Sequence, residues 1–323
     1  VPISLFNLKK NDEFGIFEIG MDKRGEIDYL SKIIKPDVGV ITNISHAHIK
    51  NFKNINQIAL AKSEIIKNIN EDGYLVLNKD DKFYNFHKKI ALKRNLKILS
   101  FSLKNESATT YLDSISKEKS KYKISININK TKKLFYLNTF FENDLKNLLA
   151  SVTIISIFKD IHKLDKNFFY DHKATDGRGD IIKVKLFKKN LYLVDESYNS
   201  NPLSLKSALN NFDMIKVDNS KKHLVLGDML ELGKHSKQLH IEIGKIINKT
   251  SLKNVNVIGE HVKWVFNNLN KSKRGLIIKK KSQIIDLIKN NLNNNDYLMI
   301  KGSNSTGLNI LANQIKTGKI HAL

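Results

Sequence analysis

LYLVDESYNSNPLSLKSALNNF, residues 191–212, contains the pattern that decides the fold class. An apolar run of strand length is followed by a polar loop and then by a stretch with helical periodicity. The same succession recurs to the end of the chain, which predicts a doubly wound α/β domain. We predict strands at 191–196, 222–228, 254–259, 275–279 and 297–302, and helices at about 203–214, 236–249, 260–269, 281–292 and 306–316.

A second set of alternating strands and helices is predicted before this domain. Strands are predicted at 14–20, 38–43, 73–78 and 96–101, and helices at 55–69 and about 143–159. Alternating patterns such as YKISININ and KLFYLN indicate a small β-meander within 101–138. The turn-forming ATDGRGD, residues 174–180, precedes the strands and helices of the C-terminal domain. We therefore expect one domain over 1–175 with a mostly parallel sheet and a Rossmann-like domain over 176–323.

The composition narrows the possible chemistry. The 323 residues include no cysteine, which excludes disulfides, thiolate metal sites and a cysteine nucleophile. No apolar run approaches the ~20 residues that span a bilayer, and the first residues lack the layout of a signal peptide. We expect a cytoplasmic monomer. Because Val1 is not a methionine and lies close to a predicted strand, we also expect a truncated start.

A formal net charge of +23 raises the possibility of a nucleic-acid partner. Only four arginines occur, and the excess is lysine scattered along the chain, whereas phosphate readers favour the arginine fork. We therefore expect no nucleic acid and attribute the charge to a Lys-rich composition. A non-catalytic basic module that binds nucleotides or nucleic acid is the alternative from another class.

Polar residues that follow or interrupt the strands are the first candidates for a site, because ligands of open α/β sheets bind at the carboxyl ends of the strands. Glu18 interrupts the apolar FGIFEIG, although a carboxylate facing water is equally compatible with the pattern. His46 and His48 directly follow the strand at 38–43 and suit a metal or phosphate. Ordinary polar loop residues are the alternative for both histidines.

Lys62 occupies an unusual position in its predicted helix. Ile58, Lys62, Ile65 and Ile69 share the spacing of one helical face, which puts a lysine on an apolar stripe. The ordinary interpretation is a side chain whose stem is buried and whose amine reaches water. The alternative is a desolvated amine with a lowered pKa that can be chemically modified.

Three polar loops follow strands of the second domain. They are DESYNSNP at 195–202, LGDMLELG at 226–233 and KGSNSTG at 301–307. The first could be only a turn and helix cap, but three such loops at one sheet edge favour a ligand site. The Gly-rich third loop could hold a phosphate, yet the chain contains no G-x-x-x-x-G-K-[ST] motif.

These motifs together resemble the Mur ligases in order and spacing over nearly the whole chain. The resemblance rests on VPISL, FEIGMDKRGEI, TNISHAHIKNF, AKSEI, NKDD, GRGD, DESYNSNP, LGDMLELG and KGSNS. It implies a central ATP-binding domain, a C-terminal ligase domain, ATP and Mg²⁺. It also implies that a uridine-binding domain and a P-loop precede Val1. The forms SYNSNP, LGDMLELG and AHI resemble those of the D-alanyl-D-alanine-adding branch, and this resemblance implies ligation of D-alanyl-D-alanine to a UDP-N-acetylmuramoyl-tripeptide through an acyl-phosphate.

The resemblance also implies roles for individual residues. In the first domain Glu18 and His48 match metal ligands, Lys62 matches a catalytic lysine that becomes carbamylated and binds the metal, and Asn147 matches an adenine contact. Further ATP-binding positions in the second domain are Arg178, Asp195, Tyr198, Asn199, Asn201 and Pro202. The positions expected to receive the dipeptide are Asp228, Glu231, Lys301 and Ser303.

Two positions depart from the family pattern. Asn143 stands where the family has a histidine, and Asn304 stands where it has an arginine. Within the same superfamily, a diaminopimelate- or lysine-adding ligase or a folylpolyglutamate synthetase-like ligase is the alternative. The sequence leaves the third residue of the tripeptide open.

Overall fold

Two six-stranded sheets, one in each half of the chain, organise the structure. A computed structural model describes residues 1–46, 49–119, 121–138, 140–172 and 176–319. The chain separates into two units, Val1–His172 and Lys173–Leu323. Among the described residues, no helix combines the length and the apolar character needed to cross a membrane.

The first unit contains a mixed sheet. Its first four strands pair in parallel. The fourth strand also pairs with the fifth, and strands four to six form the antiparallel meander that the alternating patterns predicted. In spatial as well as chain order the strands are β1 Val38–Ile41, β2 Tyr74–Asn78, β3 Lys97–Ser102, β4 Thr110–Glu118, β5 Lys121–Ile128 and β6 Thr131–Leu137. The helices are α1 Pro2–Phe6, α2 Glu26–Ile34, α3 Ile55–Lys62, α4 Tyr84–Leu92 and α5 Glu142–Phe158. Apolar residues of α5 pack with those of β5 and β6 to form the core.

The strand predicted at 14–20 is wrong. This segment belongs to no ladder of the sheet, in which β1 is an edge strand. Its side chains are mostly exposed, and Ile16 is 96% accessible. An apolar pattern predicts a strand only where a neighbouring backbone pairs with it, and none does so among the described residues.

The helix predicted at 55–69 is shorter than expected. The α-helix α3 ends at Lys62, and the chain continues as a 3₁₀ helix over Ser63–Asn68. The apolar stripe around Lys62 is therefore divided between two elements, although Ile58 and Ile69 are both buried. The 3₁₀ segment turns the chain so that Glu64 caps α2, with its carboxylate accepting from Gly25 N–H at 2.9 Å and Asp28 N–H at 3.2 Å.

The second unit has the predicted Rossmann-like architecture. The strands are β7 Asp180–Leu186, β8 Lys189–Glu196, β9 Lys222–Gly227, β10 Asn254–Ile258, β11 Arg274–Ile278 and β12 Tyr297–Lys301. The helices are α6 Pro202–Asp213, α7 Ser236–Asn248, α8 Lys263–Asn267, α9 Ser282–Asn290 and α10 Leu308–Thr317. The strand order is β11-β10-β9-β12-β8-β7, in which all pairs are parallel except the β7–β8 hairpin. Because β12 lies between β8 and β9, the loops that follow these three strands meet at one edge.

Several lysines of the second unit close the ends of helices. Lys222 Nζ donates to the carbonyl of Asp213, the last residue of α6, at 2.6 Å. Lys189 Nζ donates to the carbonyl of Lys289, near the end of α9, at 2.7 Å, and Lys273 Nζ donates to Thr250 O just beyond α7 at 2.6 Å. Cations at helix C-termini satisfy free carbonyls and complement the helix dipole. These lysines stabilise the fold, so part of the basic excess has a structural role.

Candidate active site

Lys62 lies at the end of α3, beside the carboxyl edge of the first sheet. It is partly buried, and its Nζ donates a hydrogen bond to Asn43 O at 3.1 Å. Burial lowers the pKa of Lys62, while the charges of Asp81 and Glu18 oppose that shift. The amine is therefore less solvated than that of a surface lysine and has two carboxylates nearby.

Glu18 and His48, the residues expected to act with Lys62, are described unequally. Glu18 is exposed in the unpaired 14–20 segment, and its charge favours the protonated form of Lys62. The structure thus brings the acid and the amine into one neighbourhood. His48 lies outside the described residues, so its role as a metal ligand and catalytic residue stays a prediction. His46, the other histidine of this loop, is partly buried.

Asp81 is a site residue that sequence reasoning missed. It follows β2, which is the parallel neighbour of β1, so the chain segments after both strands emerge at the same edge. Its Oδ2 accepts from Ile44 N–H at 2.8 Å, and its Oδ1 accepts from Phe83 N–H at 2.8 Å. The signal was present in NKDD, where two acidic residues directly follow a strand.

Asn147, the expected adenine contact, is exposed on α5. Asn143, which stands where the family has a histidine, is exposed in the first turn of the same helix. Both amides are accessible to a ligand. Asp144 between them closes the start of α5 by accepting from Phe141 N–H at 2.7 Å.

The metal site that the resemblance implies can be tested against the donors present. The described ranges contain no group of three or more His, Asp or Glu side chains suited to a metal ion. Glu18 offers hard oxygen ligands of the kind Mg²⁺ prefers, whereas a protonated Lys62 would repel a cation. Glu18 and an anionic carbamate on Lys62 would together fit Mg²⁺, whereas Glu18 and the amine would not.

In the second unit, Lys301 connects two of the three polar loops. It is 1% exposed at the end of β12. Its Nζ lies 3.0 Å from Asn199 O, in the loop after β8, and 3.3 Å from Oε2 of Glu196, the last residue of β8. Burial lowers the pKa of Lys301, and the charge of Glu196 opposes the shift. The amine is committed to these partners, and its proposed contact with the dipeptide stays a prediction.

Asp195 and Lys316 form an ion pair in which the carboxylate is buried and the lysine is half-buried. Their Oδ2 and Nζ atoms are 2.6 Å apart, and Asp195 Oδ1 also accepts from Ser197 N–H at 3.0 Å. Burial alone would lower the pKa of Lys316, but the hydrogen bond and charge of Asp195 raise it above its usual value. Asp195 is therefore anchored on both sides, by Lys316 and by Ser197. Its expected contact with ribose stays a prediction.

The GRGD segment packs against the loop after β8. The Arg178 guanidinium lies over the Tyr198 ring at 4.5 Å from its centroid, and both side chains are exposed to solvent. Gly177 makes this contact possible, since its φ is +76° and a Cβ there would lie 2.8 Å from Tyr198 N. Arg178 and Tyr198 present a cation and an aromatic ring together, a combination suited to a nucleotide.

Asn201 and Pro202 are the start of a helix. Asn201 Oδ1 accepts from Ser204 N–H at 3.0 Å, Ser204 Oγ accepts from Asn201 N–H at 3.1 Å, and Pro202 occupies the first position of α6. This is the turn and helix cap that the sequence allowed as the alternative. Asn199 is exposed, and its side chain accepts from Ser200 N–H at 2.7 Å. The ATP contacts expected of Asn199, Asn201 and Pro202 stay predictions.

Asp228 and Ser303 join the loop after β9 to its neighbours. Asp228 is buried, and its oxygens accept from Val262 N–H at 2.7 Å and Glu260 N–H at 3.1 Å. Ser303 donates to Ser200 O at 3.2 Å and accepts from Leu230 N–H at 2.8 Å. Glu231 is exposed in the same loop with φ of +63°. Among these residues, Glu231 is the one whose exposure suits contact with a ligand.

His240 anchors the loop after β9 through a hydrogen bond to its backbone. Its Nε2 accepts from Met229 N–H at 3.2 Å, and its Nδ1 lies 2.7 Å from Ser236 O. Only the tautomer with a proton on Nδ1 satisfies both contacts, and the side chain is fully buried. A neutral imidazole is therefore part of the folded loop.

Acidification should destabilise the second unit through His240. Burial lowers the pKa of His240, although its hydrogen bond to Ser236 and the charge of Asp228 oppose the shift. An unfolded chain has an ordinary histidine pKa of about 6.5 and takes up the proton first. The contribution of His240 to the free energy of unfolding is therefore fully present above about pH 6.5 and is lost as the pH falls below it. Urea unfolding followed by the fluorescence of Trp264, the only tryptophan, should show a decreasing midpoint.

The control is the same titration with His240→Gln. This variant removes the part of the pH dependence of stability that is due to His240. His223, whose pKa is also lowered by burial, still contributes its own part. The unfolding midpoint should then vary less with pH than in the unaltered chain. An equally steep dependence in His240→Gln would contradict the assignment to His240.

Comparison with known proteins identifies relatives of both halves of the chain. Residues 1–155 match the Mur ligase middle domain, and residues 177–304 match the domain described as Mur ligase, glutamate ligase domain. A relative from Rickettsia prowazekii (strain Madrid E) is 30% identical over 95% of this chain and 67% of its own length. One from Buchnera aphidicola subsp. Baizongia pistaciae is 30% identical over 98% of this chain and 66% of its own length. The chain thus spans about two thirds of these relatives.

Solved structures show the same fold. MurF from Acinetobacter baumannii superposes with a TM-score of 0.83 at 24% identity, covering 98% of this chain and 67% of that one. MurF from Thermotoga maritima, solved in complex with ADP, gives 0.83 at 23% identity, covering 98% and 70%.

This chain belongs to the Mur ligase family. The family indicates an ATP-dependent ligase. Both relatives are named UDP-N-acetylmuramoyl-tripeptide--D-alanyl-D-alanine ligase, an enzyme of peptidoglycan synthesis.

Proposed function

We propose that the protein joins D-alanyl-D-alanine to a UDP-N-acetylmuramoyl-tripeptide at the expense of ATP. The observation that carries the proposal is the 30% identity to a ligase of that name over 95% of this chain. The partly buried amine of Lys62 beside Glu18 and Asp81 supports it. Activation of a carboxylate by ATP requires a site that stabilises the negative charge of the transferred phosphoryl group.

The reaction has two steps. The terminal carboxylate of the tripeptide attacks the γ-phosphorus of ATP, and the bond to the leaving ADP breaks. The amine of the dipeptide then attacks the acyl carbon, loses a proton and displaces phosphate. Chemistry of this kind depends mainly on positioning and on the stabilisation of charge.

Lys62 is proposed to act as a carbamate. Its neutral amine adds to carbon dioxide, an N–C bond forms and a proton is released to solvent. The lowered pKa increases the fraction of neutral amine available for this addition. Together with Glu18 and His48, the carbamate would hold Mg²⁺, which neutralises charge on the phosphates when bound.

The remaining residues are proposed to bind substrates. Asn147 contacts adenine, Asp195 contacts ribose, and Arg178 with Tyr198 contributes to the nucleotide site. Asn199, Asn201 and Pro202 shape that site, the last two by fixing the start of α6. Asp228, Glu231, Lys301 and Ser303 are proposed for the dipeptide, with Glu231 the direct contact and the other three holding the loops together.

An amine panel tests this function on the whole protein as its gene encodes it. With ATP, Mg²⁺ and UDP-N-acetylmuramoyl-tripeptide present, phosphate release should require D-alanyl-D-alanine, and mass spectrometry should find tripeptide plus dipeptide minus one water. Diaminopimelate, lysine and glutamate serve as competing amines. Ligation of one of these in preference to the dipeptide would assign the protein to another branch of the family.

A further inference from the structure

One peptide group in the loop after β1 is held at both ends. Its carbonyl, Asn43 O, accepts from Lys62 Nζ at 3.1 Å. Its N–H, which belongs to Ile44, donates to Asp81 Oδ2 at 2.8 Å. Because the peptide plane is rigid, these two contacts together fix its orientation. The loop is therefore clamped between a side chain of α3 and one from the loop after β2.

Asp81 is itself immobilised. Its second oxygen accepts from Phe83 N–H at 2.8 Å, and its carbonyl accepts from Tyr84 N–H at 3.0 Å. The neighbouring Asp80 contributes nothing to this clamp, since it accepts instead from Ser102 Oγ at 2.5 Å and Leu103 N–H at 2.7 Å. The two adjacent acids thus have separate tasks.

We infer that Asp81 is a positioning residue for Lys62, holding the Asn43–Ile44 peptide so that its carbonyl fixes the direction of the lysine amine. The inference deepens the proposed function and rests on it for its catalytic meaning. A carbamylated lysine retains one N–H, which can still donate to Asn43 O. The clamp therefore determines where the new carboxylate of the carbamate extends.

The experiment compares Asp81→Asn and Asp81→Ala with Asp80→Asn as the matched control. Hydrogen exchange of the Ile44 amide reports on the clamp, and the NMR signals of the Lys62 side chain report on the amine. Addition of ¹³C-labelled bicarbonate provides a carbamate signal, for which Lys62→Ala is the blank. Asp81→Asn preserves volume and one acceptor, so it serves if the alanine variant does not fold.

Exchange at Ile44 should accelerate by about fivefold or more in Asp81→Ala, as expected for the loss of one hydrogen bond, and by a smaller factor in Asp81→Asn, which keeps one of the two acceptors. The Lys62 signals should shift, and the carbamate signal should weaken. Asp80→Asn should change none of the three. Unaltered exchange at Ile44, or altered exchange with unshifted Lys62 signals, would overturn the inference. Absence of a carbamate in the unaltered chain would count against the proposed mechanism alone, because exchange and Lys62 shifts still test the clamp.

Discussion

Replacing Lys62 with alanine should lower the rate of ligation by about 100- to 1,000-fold, the usual cost of removing one group that stabilises transition-state charge. The whole protein, assayed for phosphate release with ATP, tripeptide and dipeptide, is the appropriate material. Since the proposed role belongs to the carboxylate of a carbamate, short carboxylic acids should restore part of the activity in Lys62→Ala.

Lys67→Ala is the matched control for Lys62→Ala. Lys67 lies on the 3₁₀ helix that continues from α3, but it is exposed. Its removal should leave turnover unchanged. The unfolding midpoint of Lys62→Ala should not fall in parallel with activity, because the substitution removes a desolvated amine. Full turnover in Lys62→Ala would exclude the lysine from the mechanism.

The strands that sequence reasoning found are those with strong local patterns. The run KHLVLG is buried along its length and YLMIK is buried except at Tyr297, and such continuous apolar runs can be recognised without knowledge of distant partners. The segment 14–20 has an equally apolar pattern but no paired neighbour, and a pattern cannot report on pairing. Existence of an element follows from local residues, whereas its pairing follows from the rest of the fold.

The β7–β8 hairpin was missed for a different reason. Its two-residue turn is Phe187–Lys188, with φ of +48° and +62°. Such turns usually contain Asn-Gly or Asp-Gly, since those residues adopt positive φ readily. The sequence FKKN carries no such signal, so only the ladder between Asp180–Leu186 and Lys189–Glu196 identifies the hairpin.

The candidate sites show the same division. The convergence of three loops was predictable because parallel strands end at one edge. The partners of Lys301 and Asp228 were not predictable, since their hydrogen bonds reach residues distant in sequence. Asp81 is intermediate, because NKDD was visible but its contact with Ile44 depends on the pairing of β1 with β2.

Replacing Lys301 with methionine should destabilise the second unit by about 3–5 kcal/mol, the typical cost of removing one partner of a buried ion pair. Methionine preserves the apolar stem, so the effect isolates the amine that contacts Glu196 and Asn199. Urea unfolding followed through Trp264 gives the free energy. Lys263→Met is the control, because the Lys263–Glu260 pair belongs to the same unit but is exposed, and the midpoint should scarcely change.

A second substitution separates the ion pair from the hydrogen bond to the loop. If most of the cost in Lys301→Met arises from the buried charge of Glu196, then Glu196→Gln combined with Lys301→Met should recover a large part of it. If the cost arises from the loss of the Asn199 carbonyl contact, the double variant should recover little. A destabilisation of Lys301→Met no larger than that of Lys263→Met would show that the amine does not hold these loops together. Because Asn199 is adjacent to Tyr198, little recovery in the double variant would also show that the proposed nucleotide loop depends on the buried amine of Lys301.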